Sequence, residues 1–155
     1  MPIRVYECDR SEADALKRFL KYDPYDDPKV LPPSNMPKDV KELKKLPKEQ
    51  QDRINAEESA RQEKLKKLRE DRLLNIIFWK QEYEVRDGAA IGLDREKIYL
   101  YLNAPEDFLS GAEEKLTKEF KSIKRATKDE ADKVTNAISS EQDTAAAGFG
   151  SIFGG

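Results

Sequence analysis

Histidine is absent from this chain and Cys8 is its only cysteine, so chemistry would have to come from carboxylates, lysines, tyrosines or hydroxyls. Without an imidazole there is no side chain whose ordinary pKa lies near neutrality, and no His-dependent nucleophilic triad. A single cysteine makes neither a zinc site nor an internal disulfide. The carboxylate clusters Glu82/Glu84, Glu106/Asp107 and Glu113/Glu114 have no second acid or nucleophile at a suggestive catalytic spacing. These residues point away from an enzyme, a metal or a cofactor, and towards a protein that works by contacts with other macromolecules.

Two glycine patterns near the C-terminus resemble known motifs and fail on inspection. In Gly148-Phe149-Gly150-Ser151-Ile152-Phe153-Gly154, Phe153 stands where a dinucleotide fingerprint needs its third glycine. No helix follows to hold a pyrophosphate. Gly154-Gly155 resembles the tails of ubiquitin-like and sulfur-carrier proteins, but bulky Ile152-Phe153 precedes it and the order of elements differs. What remains is Phe149, Ile152 and Phe153 at i, i+3 and i+4, one apolar face if the segment is helical. Such a face docks on a partner or folds back to cap its own core.

Tyr99 and Tyr101, two residues apart on a strand and joined by Tyr6 if the strands are neighbours, have the spacing of a base-stacking platform. The glycines of the RNA-recognition signature are missing. Lys64, Lys66, Lys67, Arg69 and Arg72 make a local run of positive charge, interrupted by Glu63, Glu70 and Asp71. An RNA- or ribosome-associated factor contacting nucleic acid through Tyr99, Tyr101, Lys64, Lys67, Arg69 and Arg72 is therefore the alternative reading. A carboxylate- or tyrosine-based enzyme is the third.

The elements that would position these groups follow from periodicity. Residues 3–8 alternate as a strand, and Ser11 with Asp14 resembles a capping box for a helix carrying Ala13, Leu16, Phe19 and Leu20. Five prolines between Pro24 and Pro37 predict an extended tether or an ordered wrap. Residues 38–74 read as helix broken at Pro47. Favourable i,i+4 pairs Glu49/Arg53, Glu57/Arg61 and Glu63/Lys67 support the second part, whose apolar stripe is thin. Strand alternation resumes at Ile76, Asp87-Gly88 predicts a tight hairpin, and residues 89–93 a short return strand. Ile98, Leu100 and Leu102 should face the core, with Tyr99 and Tyr101 opposite. Phe108, Ala112, Leu116 and Phe120 predict a core-facing helix, and residues 121–126 a short strand. Thr127 and Glu130 predict a capping box opening a last helix with Ala131, Val134 and Ile138 inward.

The expected fold is α+β with a ferredoxin-like split βαββαβ order, a Pro-rich and helical insertion after the first helix, and an appended C-terminal helix. The expected organisation is a domain of residues 1–23 and 75–142, an inserted tether and charged arm at 24–74, and a Gly/Ala-rich apolar tail at 143–155. Acidic and basic residues nearly balance at a net charge of −2, which argues against a surface given over entirely to phosphates. There is no apolar run long enough to span a bilayer. A lone cysteine suits a reducing, cytoplasmic compartment, and a composition rich in Lys and Glu is the drift of heat-loving prokaryotes. The expected function is a non-catalytic accessory or assembly subunit with a protein partner and no membrane, metal or cofactor, acting through its insertion and tail.

Overall fold

The computed structural model describes the backbone of residues 1–153 and the side chains of residues 1–147. Its contacts divide the chain into two compact units, Met1–Tyr22 with Ile76–Gly155, and Asp23–Asn75. The fold is α+β.

The first unit is built on an antiparallel sheet of β1 (Ile3–Asp9), β2 (Glu82–Asp87), β3 (Lys97–Asn103) and β4 (Lys124–Arg125), in the spatial order β2-β3-β1-β4. The helices of this unit are α1 (Ala13–Lys21), α4 (Glu106–Glu119) and α5 (Lys128–Phe153). Period-two alternation separates the faces of β3. Ile98, Leu100 and Leu102 join Leu16, Leu20, Leu109 and Leu116 in the larger core. Tyr99 and Tyr101 join Val5, Val134 and Ile138 in a second core on the other face. Both faces are thus covered, and all five β3 residues from Ile98 to Leu102 are buried.

Register corrects the expected position of Tyr6. It pairs with Leu100, so its side chain lies on the Leu100 face and not beside Tyr99 and Tyr101. The return strand expected at residues 89–93 is also absent. Gly88–Ile91 is a 3-10 turn, closed by Gly92 in the left-handed region at φ 73°, a conformation that glycine adopts without cost. The hairpin signal at Asp87-Gly88 marked a real turn but gave it the wrong type. At the start of α1, a 3-10 turn over Arg10–Glu12 replaces the expected capping box, and no side chain caps the helix.

The second unit holds α2 (Val40–Lys44) and α3 (Lys48–Glu70), separated at Pro47 as its fixed φ requires. The proline-rich segment is an ordered wrap, not a free tether. Ser34 Oγ donates to Glu58 at 2.7 Å, Asn35 Nδ2 to Glu57 at 3.0 Å, and Arg61 Nε to the Pro32 carbonyl at 2.8 Å. The inward residues of α3, at positions 51, 54, 58, 61, 65 and 68, include three polar side chains satisfied by these bonds and by Gln51 reaching the Leu46 carbonyl at 2.7 Å. The apolar stripe is thin because polar groups do part of the packing. Asn75 closes α3, donating to the Leu68 carbonyl at 2.7 Å while accepting from the Tyr25 hydroxyl at 2.5 Å.

Helix α5 departs most from expectation. It begins where the capping box predicted, but it does not stop at Gln142. It continues to Phe153 and takes in most of the segment expected as a separate tail.

Candidate interaction surfaces

The tyrosine face of the sheet is the first candidate, and its geometry removes it as an open platform. Tyr99 is 0% exposed and Tyr101 6%, both covered by α5 through Val134 and Ile138. A base cannot stack on a ring already packed on another chain segment. Strand alternation puts the two rings on one face, and only the tertiary packing shows that α5 occupies that face.

A polar cluster fastens α5 there. Glu130 and Thr127 form the capping box: Thr127 Oγ1 lies 2.8 Å from Glu130 Oε1, and the Glu130 N–H donates to Thr127 Oγ1 at 3.3 Å. The other oxygen of Glu130 accepts the Tyr99 hydroxyl at 2.6 Å. One carboxylate therefore caps the helix and ties it to the sheet. Beside it Glu7, 4% exposed, is paired with Lys97 at 2.6 Å and Lys124 at 3.2 Å, the charged partners that a buried carboxylate requires.

The Tyr99 hydroxyl is the main cause that holds the Glu130 carboxyl down to about 2, with Thr127 adding to it against the opposing effect of burial. Burial, and then the bond to Glu130, push the Tyr99 phenol well above its ordinary value. A depressed carboxyl stabilises the fold fully above its unfolded pKa, near 4.3, and loses that contribution as pH falls towards 2. Between pH 6 and pH 2.5 wild type should therefore lose more stability than Glu130→Gln, in urea titrations at each pH. Parallel curves would show that Glu130 carries none of the acid sensitivity.

Cys8 is buried, and burial pushes its thiol up, which keeps it protonated and poorly nucleophilic. Its sulfur lies 3.3 Å from Ser122 Oγ, which also accepts the Asp9 N–H at 3.0 Å and bonds to Glu12. This group ties the end of β1 to the α4–β4 loop. A second ionic cluster, Arg4 and Arg125 around Glu113 with Glu106 on Arg4, clamps α4 across β1 and β4. Both arrangements hold elements together.

The last part of α5 is different. Arg86 on β2 grips Glu141 at 2.6 Å, three residues beyond Ile138, the last buried side chain of the helix among the described residues. Residues 139–147 are exposed without exception. The helical backbone runs on to Phe153, about 22 Å past Ile138 at 1.5 Å per residue. Of the expected docking residues Phe149, Ile152 and Phe153, the side chains lie outside the described residues.

The basic residues sit elsewhere, on the second half of α3 and, for Arg72, in the turn that follows it. Lys64, Lys67, Arg69 and Arg72 are all exposed. They are in the second unit, while Tyr99 and Tyr101 belong to the first. No protein-family model matches the chain, and no curated protein or solved structure shows significant similarity to it. Among the described residues no helix is long and apolar enough to cross a membrane, and no group of three or more acidic, cysteine or histidine side chains is placed to hold a metal. Sequence reasoning missed Glu7, Lys97 and the Arg86–Glu141 pair, because each depends on cross-strand or helix-to-sheet register.

Proposed function

We propose that this chain is a non-catalytic accessory or assembly subunit that binds a protein partner through the exposed C-terminal part of α5 and through the surface of its Asp23–Asn75 unit. The observation that carries this reading is the exposure of every residue from 139 to 147 in a helix whose earlier half is firmly docked. A helix gains little stability from propensity alone, and an unpacked extension is most simply explained by contacts made outside the chain. The sheet unit is read as a ferredoxin-like domain with Asp23–Asn75 inserted after α1, which the order β2-β3-β1-β4 and its antiparallel pairings support. A reducing, cytoplasmic setting suits the buried free thiol.

The RNA-associated reading keeps only the basic end of α3 in its favour, because the tyrosines it relied on are covered. Truncation after Thr144 separates scaffold from interface. It should move the melting temperature by less than about 2 °C, since 1 kcal/mol shifts a domain of this size by roughly 2–4 °C. The same truncation should abolish recovery of a stoichiometric partner from the native source. A large fall in melting temperature would mean that the segment packs on its own domain.

A further inference from the structure

A groove in the Asp23–Asn75 unit carries an inference that deepens this reading and rests on it. It is lined by Val30, Leu68 and Leu74 together with charged side chains, and its volume is about 310 Å³, room for a bulky side chain. Lys64 and Lys67 line it from α3, three residues apart and so neighbours on one helical face. Lys29 lines it from the wrap, where the Asp27 carboxylate accepts its backbone N–H at 3.0 Å. None of these three lysines has an ion-pair partner among the described residues. The one carboxylate lining the groove, Asp71, accepts the Leu74 N–H at 3.2 Å in a local turn at the end of α3.

We propose that this groove binds an acidic amphipathic peptide helix of a protein partner, whose apolar side chains meet Val30, Leu68 and Leu74 while flanking carboxylates meet Lys29, Lys64 and Lys67. Lysines from two elements in one lining with apolar side chains are the complement of a helix with an apolar stripe and acidic margins. A nucleic acid fits less well. No aromatic ring lines the groove to stack a base, and no arginine offers the bidentate fork that phosphates favour.

The test uses the full-length chain and a short fluorescein-labelled helical peptide with leucines at i, i+3 and i+4 flanked by glutamates. The controls are the same peptide with glutamine for glutamate, and a labelled single-stranded RNA. Fluorescence anisotropy should show binding of the glutamate peptide, weakening with salt, and loss of binding by the glutamine peptide. The double variant Lys64→Glu, Lys67→Glu should weaken affinity by about tenfold or more, and Lys29→Glu in the wrap should weaken it too. All three lysines are exposed, so circular dichroism of the variants should match wild type. Equal binding by wild type and the double variant, or RNA bound in place of the peptide, overturns the proposal. If the peptide does not bind while truncation after Thr144 still abolishes partner recovery, the groove is wrong and the accessory-subunit reading stands. If the peptide binds as expected but the full chain recovers no partner, the groove stands and that reading falls.

Discussion

Gly88→Ala is expected to destabilise the sheet unit by about 3–5 kcal/mol, at the upper end for a single substitution. A Cβ at this position would lie 1.8 Å from the Asp94 carbonyl oxygen, 2.7 Å from its carbon and 3.1 Å from the Lys97 carbonyl oxygen. All three are backbone atoms, and they cannot swing aside as a side chain would. The turn around them is fastened by the Leu93 N–H to the Gly88 carbonyl at 2.8 Å, Lys97 N–H to Asp94 O at 3.1 Å, and Glu96 N–H to Asp94 Oδ1 at 2.9 Å. Relief of the clash must break these bonds and disturb the start of β3, the strand that both cores share. Gly92→Ala is the internal control. Its new Cβ meets nothing within 4 Å, and its φ of 73° imposes only the left-handed penalty, about 1–2 kcal/mol. Urea unfolding of both variants should therefore rank Gly88→Ala well below Gly92→Ala. Equal midpoints would mean that the turn is not packed as described.

Tyr101→Ala is expected to cost about 3–5 kcal/mol, as much as Leu100→Ala on the opposite face at about 2–5 kcal/mol. Strand alternation alone would rank the tyrosine lower, because an uncovered sheet face loses little when a ring is removed. Here the ring is 6% exposed and packed in the core formed with Val5, Val134 and Ile138. Burial also pushes its phenol above the ordinary value. Truncation therefore opens a cavity between sheet and helix. The comparison reads directly whether α5 is docked in solution. A Tyr101→Ala cost under about 1 kcal/mol, beside a full cost for Leu100→Ala, would mean that the tyrosine face is open.

The parts of the fold legible in the sequence are those set by local pattern. Alternation in residues 97–103 placed Ile98, Leu100 and Leu102 on the face opposite Tyr99 and Tyr101. The spacing of Thr127 and Glu130 located the start of α5, and Pro47 located the break between α2 and α3. What escaped depends on partners distant in sequence. Whether Tyr6 shares the tyrosine face is open in the sequence, because only the β1–β3 register, Tyr6 to Leu100, decides it. The stripe of α3 looked too thin to pack because the groups that satisfy Glu58 and Arg61 lie in the wrap, at Ser34 and Pro32. The end of α5 lies beyond the expected Gln142 because alanines 145–147 are strong helix formers, although the glycines that follow them give the segment the composition of a tail. Of the proposed groove, Lys64 and Lys67 are visible in the sequence as part of a basic run, whereas Lys29 joins them only through the turn that the wrap makes.

Site-specific photo-crosslinking in the native source shows whether the exposed part of α5 binds a partner. A photoreactive residue at Ala146, exposed and beyond the docked half of the helix, is compared with one at Glu119, exposed at the end of α4. A single discrete adduct, identifiable by mass spectrometry, is expected from position 146 and none from position 119. No adduct at 146, or the same diffuse adducts from both positions, would contradict it.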